Sequence, residues 1–334
     1  MNLLLIFLMM TYTATIRAFS WIPCGVKALR AFQRTSMATY RQMSAQNSSP
    51  SATNKATKVP QTPKSFGNEF DMVLPEGEMF YLEEKYAHPF DKYIRFEEKE
   101  HEYFYEEKKV QFSVTQIVER FSEKFDQDVA LVKMKKSARW PRPEYATKSG
   151  QPWTDEQIKQ FWELGGMYAR NRGTWMHYNI ERIFNNLDPS KDFPEYELFK
   201  KFYNDIIVAD KITAHRTEWR ICDPDHNLAG SVDFVGRLPD GTFVIMDWKR
   251  SKKITKAGPG NSYGKNLKPP LDHVDDTEAS KYFLQLNIYR YIIQKRYGIK
   301  ISRMLLASFH PSFAEYAILD APIWDKEVLS ALSE

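Results

Sequence analysis

The chain has 334 residues, 43% apolar and 14% aromatic, enough to build a substantial hydrophobic core. Its two cysteines, Cys24 and Cys222, exclude a disulfide framework and a thiolate zinc site. The net charge of +4 is uneven: eight of the 47 Lys and Arg lie in residues 1–68, which hold no acid, so residues 69–334 carry 39 bases against 43 acids. Global charge therefore gives no support for nucleic-acid binding, and any such reading must rest on local patches.

Residues 1–68 read as an address followed by a linker rather than a fold. Leu3–Met10 is an apolar run too short to span a bilayer, and an acid-free stretch rich in Arg, Ser, Thr, Ala and Gln follows it. An apolar start before Arg17-Ala18-Phe19 resembles the two-part plastid presequences of algae with secondary plastids. A mitochondrial presequence is the alternative, and translation from Met37 would remove the apolar start. Residues 44–66 have the composition of a disordered linker, and order is expected to begin near Phe66–Phe70.

Along the remainder, residues 94–112 alternate as a hairpin anchored by Tyr103, Tyr105, Val110 and Phe112. Ser113-Val114-Thr115-Gln116 has capping-box spacing and opens a helix through Ile117, Val118 and Phe121. Lys133, Lys135, Lys136, Arg139, Arg142 and Lys148 then interleave with Trp140 and Tyr145. Helical patterns are expected over Thr154–Ala169, from Thr174 to about Phe184, and over Tyr196–Val208. The period changes to strands at Thr217–Cys222, Ala229–Leu238 and Thr242–Trp248, the last two joined by Pro239-Asp240-Gly241. A polar loop leads to an amphipathic helix over Ser280–Tyr297 that stops at Gly298, and strands follow at Arg303–Phe309 and Glu315–Ile318. The expected fold is one α/β domain over residues 69–334, with a helical lobe at 113–210 and a catalytic core at 211–320. No later membrane-spanning run and no phosphate-binding P-loop are present, so no nucleotide cofactor or ATP-driven motor is expected.

Asp233 lies inside the second strand and Asp247 ends the third, two residues before Lys249. A tight turn between adjacent antiparallel strands can bring the two carboxylates to one end of a sheet, and residues two apart on a strand share a face. Hard divalent cations take such oxygen ligands, and a nearby lysine can orient an attacking water or offset phosphate charge. Glu218, on the preceding strand, could reach a metal through water or anchor the site. The competing reading makes these groups solvated, but charges ending apolar runs such as Phe243-Val244-Ile245-Met246 are costly unless paired or metal-bound.

Gly173-Thr174-x-x-His177-x-x-x-Glu181, Glu218, Ala229-Gly230-x-x-Asp233, Asp247-Trp248-Lys249 and Gln285-x-x-x-Tyr289 occur in this order. Together they resemble the signature of RecB-type PD-(D/E)XK nucleases, a group that includes CRISPR adaptation nucleases, phage-type exonucleases and the mitochondrial genome maintenance exonuclease. The resemblance covers about Tyr103–Pro311. It implies a restriction-endonuclease-like core, a central mixed sheet flanked by helices. It also implies that His177, Asp233, Asp247 and the Trp248 carbonyl bind Mg²⁺ or Mn²⁺, and that Lys249 is the catalytic lysine. Gln285 and Tyr289, one helical turn apart, would brace the site or touch DNA, while Glu181 would orient His177. Some members hold an iron–sulfur cluster on four cysteines, which two cysteines cannot do.

Two basic stretches would supply the local charge. Seven Lys/Arg and no acid lie between Trp248 and Leu271, among them Lys252, Lys253 and Lys256, in a loop that leaves directly from Lys249. Lys136, Arg139 and Trp140 belong to the other stretch, where Trp140 and Tyr145 could stack on bases of single-stranded DNA. Solvated loops are the plain alternative for both. The function expected is a metal-dependent deoxyribonuclease, an exonuclease acting on single-stranded DNA or free ends in organellar maintenance, replication or repair, alongside proteins of those processes and without membrane attachment. A catalytically idle binding module or a ribonuclease of the same fold are the rivals.

Overall fold

The computed structural model describes residues 80–333 except 98, 99, 148, 256, 257 and 259. The expected presequence and linker, the start of order near Phe66–Phe70, Lys148 and Lys256 all lie outside the described residues.

The chain runs through α1 (Tyr81–Lys85), β1 (Ile94–Glu97), β2 (Glu102–Tyr105), β3 (Lys108–Lys109), β4 (Phe112–Ser113), α2 (Val114–Arg120), α3 (Gln127–Lys135), α4 (Asp155–Phe184) and α5 (Tyr196–Phe202). Next come β5 (Thr213–Asp223), β6 (Leu228–Arg237), β7 (Phe243–Lys249), α6 (Glu278–Tyr297), β8 (Ile301–Ser308), β9 (Ala317–Asp320) and α7 (Asp325–Leu332). The helix starts follow from their caps. Ser113 and Thr154 both form complete capping boxes, with Gln116 and Gln157, and Gly298 closes α6 in the left-handed region at φ 66°.

The helical patterns expected to pause between Ala169 and Thr174 form one continuous 30-residue helix, α4. A mid-helix glycine such as Gly173 costs about 1 kcal/mol relative to alanine. Burial of Ile158, Arg172, Met176, Ile180 and Phe184 along one face outweighs that. The helix α5 runs on into a π-helical stretch at Tyr203–Val208, within the helix expected there. Helices α1, α3 and α7 were not anticipated.

A mixed sheet has the order β4-β6-β7-β8-β9, with β5 paired to β6 as well. Strands β5 and β6 are antiparallel, as are β6 and β7, whereas β7 and β8 are parallel. Helices cover both faces. On one, Val244, Met246, Trp248, Phe234 and Leu305 meet α4 and α5 through Met176, Ile180, Phe184, Phe199 and Phe202. On the other, Ile245, Leu306 and Trp219 meet α2, α6 and α7 through Val114, Leu284, Ile288 and Val328. The helices of residues 113–210 are thus divided between the two faces. Trp248 is 1% exposed, and truncating such a residue to alanine costs about 3–5 kcal/mol. Strands β1, β2 and β3 form a separate small sheet, and its Tyr103, with Val110 just after β3, packs against Cys222 and Ala229. Among the described residues no helix is long and apolar enough to cross a membrane.

The detail that places the site is a fork. Strand β5 occupies one edge of β6 along its whole length, so β4 and β7 must share the other. Strand β4 pairs only at Leu228 and Ala229, and β7 only from Phe234 onward. Residues Gly230 to Asp233 are left without a ladder partner on that edge, and Asp247 to Lys249 continue against β8 alone.

Candidate metal centre

At the fork, side chains take over where the ladder stops. Asp233 Oδ2 accepts the backbone N–H of Trp248 at 2.7 Å, in place of the lost strand-to-strand bond. Gly230 is required here by packing: a Cβ at this position would lie 2.7 Å from Tyr289 Cε1 and 3.1 Å from Val114 Cγ2. The glycine of the Ala229-Gly230-x-x-Asp233 motif thus lets α6 sit directly on the fork.

Glu218 stands opposite Asp233. Its neighbours Thr217 and Trp219 pair with Phe234 and Val232, yet the Glu218 and Asp233 backbones do not bridge. Glu218 adopts φ +42°, a left-handed conformation of order 1–3 kcal/mol in cost that is rare inside a strand. Two carboxylates directly across a sheet repel, by about 4 kcal/mol for unit charges 4 Å apart at an effective dielectric of 20.

From α4, His177 reaches between them. Its Nδ1 is 3.1 Å from Glu218 Oε1 and 3.7 Å from Asp233 Oδ2. Its Nε2 lies 2.9 Å from the Trp248 carbonyl oxygen. A carbonyl can only accept, so Nε2 carries a hydrogen and donates it, which leaves Nδ1 as the atom that changes state. Burial alone would depress the imidazole, but Asp233 and Glu218 outweigh it and hold His177 up at about 9. Burial pushes the Asp233 carboxyl above the usual range, the imidazolium opposes this, and Asp247 and Glu218 add to it. His177, Glu218 and Asp233 each offer a ligand atom, all within 4.8 Å of one another.

Asp247, expected as a metal ligand, is adjacent but differently engaged. It is 1% exposed, its Oδ2 lies 2.6 Å from Lys249 Nζ, and its Oδ1 accepts from Gln285 Nε2 at 3.3 Å. The Lys249 ammonium is thus the direct partner of Oδ2. Gln285 Nε2 also donates to the Tyr289 hydroxyl at 3.0 Å, which makes the pair a brace under Asp247. Burial alone would lower Lys249, but Asp247 and Asp233 hold its ammonium well above the ordinary range. The Tyr282 ring centroid lies 4.5 Å from the same Nζ.

Glu181, expected to orient His177, instead accepts from Thr217 Oγ1 at 3.2 Å, and Glu218 is the acid on the imidazole. Burial and then Glu218 push the Glu181 carboxyl up. The structure therefore brings His177, Glu218 and Asp233 into one cluster, sets Asp247, Lys249, Gln285 and Tyr289 beside it, and places Glu181 one residue further out.

Three further residues fix this frame. Glu195, fully buried, sits 2.6 Å from Nε of Arg250, the residue after Lys249, and 4.0 Å from Nη2 of Arg172, five residues before His177. One carboxylate thereby ties the end of β7 to α4. Nothing local in the sequence marks Glu195, because its partners are 55 and 23 positions away. Tyr282 was equally silent, although it lies one helical turn before the Gln285 of the motif.

The basic residues are at the surface. Lys252 and Lys253 are exposed where the loop leaves β7, with Lys253 Nζ 2.5 Å from Glu278. Lys136 and Arg139 are exposed after α3, and Trp140 is half-buried. Tyr145 is not presented as a free stacking face: it meets Trp140, Trp153, Phe161 and Trp162 and accepts from Trp162 Nε1 at 2.9 Å.

No protein-family model matches the chain, and no curated protein matches it. Among solved structures, a protein described as "Putative exonuclease" from Eubacterium rectale is 13% identical, covering 66% of this chain and 75% of that one, with a TM-score of 0.28. The structure of SSO0001 is likewise 13% identical, covering 66% and 72%, with a TM-score of 0.27. Likeness at that level carries no argument, and the geometry of the centre stands on its own.

Proposed function

We propose that this chain is a metal-dependent deoxyribonuclease with a PD-(D/E)XK active site, hydrolysing phosphodiester bonds as an exonuclease. The observation that carries the reading is the convergence of His177, Glu218 and Asp233 at the strand fork, with Asp247 and Lys249 immediately beside them. The donor set fits a divalent cation: two opposed carboxylates that repel and one imidazole whose Nδ1 faces both. Oxygen-rich sites with one imidazole suit Mn²⁺ and, less readily, Mg²⁺. His177, Glu218 and Asp233 would hold such an ion, which would supply acidification of water and offset charge on the scissile phosphate.

The protein groups divide the remaining work. Lys249 is held protonated against Asp247, so it donates to a phosphate oxygen rather than taking a proton from water. Gln285 and Tyr289 hold Asp247 in place. The Asp233 bond to Trp248 N–H and the His177 bond to Trp248 C=O lock the end of β7 from both sides, which fixes where Lys249 points. Lys252 and Lys253 offer the phosphate backbone a positive approach from the loop.

The test is incubation of the protein with end-labelled single- and double-stranded DNA and matched RNA, with Mn²⁺ or Mg²⁺ and with chelator. Metal-dependent loss of DNA with 5′-phosphate products is expected, and Lys249→Ala should bind but not cut. Full activity of that variant would remove the role given to the lysine. We also read residues 1–68 as an organellar presequence, for a task in DNA maintenance, replication or repair. Diffuse cytosolic fluorescence of a fusion carrying that segment would refute this.

A further inference from the structure

A cleft of about 460 Å³ opens beside the metal centre, between α6 and the segment at the end of α2. Its wall includes Val118, Ser122, Phe125, Tyr282 and Gln285. Two of these already touch the centre: Gln285 donates to Asp247, and Tyr282 lies against Lys249. Whatever occupies the cleft is therefore joined directly to whatever sits at the lysine.

The lining selects the chemistry of that occupant. Val118, Phe125 and Tyr282 give the wall its apolar and aromatic part, while Glu119, Glu123 and Glu278 line the cleft together with Lys124 and Lys281. Glu278 and Glu123 are paired with Lys253 and Lys265, so acids and lysines around the cleft largely offset one another, and the apolar and aromatic wall selects an uncharged, flat part of a strand. Phe125 is 71% exposed, a large apolar surface with no core to fill, held edge-on to Trp162 at 5.7 Å. Ser122 is only 8% exposed, and its buried hydroxyl has no hydrogen-bond partner, a cost that a polar ligand edge would remove. A flat, neutral group with π faces and a hydrogen-bonding edge meets all these conditions.

We propose that the cleft receives the unpaired nucleobase next to the scissile phosphate, stacked on Phe125 and hydrogen-bonded by Ser122, so that the chain acts on single strands and frayed ends. A base in a duplex is stacked and has its pairing edge occupied, and reaches such a cleft only after paying to leave the helix. This deepens the nuclease reading and rests on it.

The test compares two dye-labelled strands of equal length and charge, one of mixed sequence and one made wholly of abasic residues. Binding is followed by fluorescence anisotropy in chelator. The base-bearing strand should bind about tenfold more tightly, in line with stacking on one aromatic side chain. Phe125→Ala should bring the two affinities close together without weakening the abasic strand, and Phe125→Trp should keep the preference. Because Phe125 is exposed, the melting temperature should not move. Equal binding of the two strands by the unaltered protein, or equal weakening of both by Phe125→Ala, overturns the proposal. Cleavage of the mixed-sequence strand in Mn²⁺ separates the two readings. Cutting without base preference sinks the cleft alone, whereas base preference lost in Phe125→Ala without cutting sinks the nuclease and leaves the cleft as a single-strand site. Absence of both binding and cutting sinks both.

Discussion

Strand β5 contributes to two carboxylate clusters along its length, one fully buried and one half-buried, and the protein treats them in opposite ways. At its C-terminal end Asp223 is fully buried, and it accepts from His226 Nδ1 at 2.6 Å, Lys295 Nζ at 3.1 Å and Arg296 Nε at 2.6 Å. Burial pushes this carboxyl up, but bonds from His226, Arg296 and Lys295 outweigh it and hold Asp223 below the ordinary range. In mid-strand, Glu218 and Asp233 have one imidazole between them, and the Asp233 carboxyl is pushed up instead. Both clusters cost desolvation. In the first, cations of the chain itself balance the charge. In the second they do not, and that deficit is what a metal ion from outside would fill.

The contrast breaks most visibly at Asp223. Asp223→Ala should leave Lys295 and Arg296 with Asp225 as their remaining carboxylate and lower unfolding free energy by about 1.5–3 kcal/mol in denaturant titration, with the remaining folded protein still cutting DNA. An unchanged midpoint would mean that the cluster is ornamental. Asp233→Asn should do the reverse. Its amide oxygen can still accept from Trp248, while a poorly compensated charge disappears, so thermal stability should hold or rise by a few degrees. Activity should fall at least about a hundredfold, since even an outer partner of a metal site commonly costs ten- to a hundredfold. A variant that melts several degrees lower yet retains its specific activity would reverse the assignment of the two clusters.

A titration with Mn²⁺ sharpens the same comparison. An ion that binds only the folded state stabilises it by RT ln(1 + [L]/Kd), about 2 kcal/mol at thirty times Kd. The unaltered protein and Asp223→Ala should both gain this, and Asp233→Asn should not. Equal gains in all three would place the ion elsewhere.

How much of this was legible in the sequence depended on distance along the chain. The continuous apolar run Phe243-Val244-Ile245-Met246 and the short turn before it mark β7, because that strand is buried on both faces and bounded by Gly241. Asp233, Asp247 and Lys249 could be singled out because charge at the end of an apolar run is costly. Gly230 stood in a motif, but its reason, the Tyr289 ring against its Cα, needed α6 in place. Gly173 shows the converse: a Cβ there would meet nothing within 4 Å, and the structure gives no packing reason for it. Glu218 looked peripheral because no sequence cue announces a left-handed residue in mid-strand, and that twist puts it opposite Asp233. Glu195 was invisible because its role depends on Arg172 and Arg250, which only tertiary folding brings together. The C-terminal helix α7 has Val328, Ala331 and Leu332 at helical spacing, but Trp324 stands at its N-cap and supplies no capping bond, so no start signal of the kind that marks α2 announces it.

The smallest effect expected is also the one most particular to the undercompensated cluster. With no ion bound, Asp233 and Glu218 hold the His177 imidazole at about 9, so at neutral pH Nδ1 carries a proton that points between the two carboxylates. A metal can use that lone pair only after the proton leaves, and a raised Asp233 carboxyl competes in the same sense. Each displaced proton makes the apparent affinity rise with pH, up to tenfold per unit while the group stays protonated in the free protein. The rise levels off once pH passes His177's own value. Mn²⁺ affinity, measured by calorimetry in buffers of different ionisation enthalpy, should therefore climb between pH 6 and 8 with net proton release. His177→Gln, which puts a neutral amide in place of the imidazole and cannot take up a proton there, should bind more weakly at pH 8 and show a shallower slope. An affinity flat across that range in the unaltered protein would mean that the imidazole is not displaced, and that the ion rests on carboxylates alone.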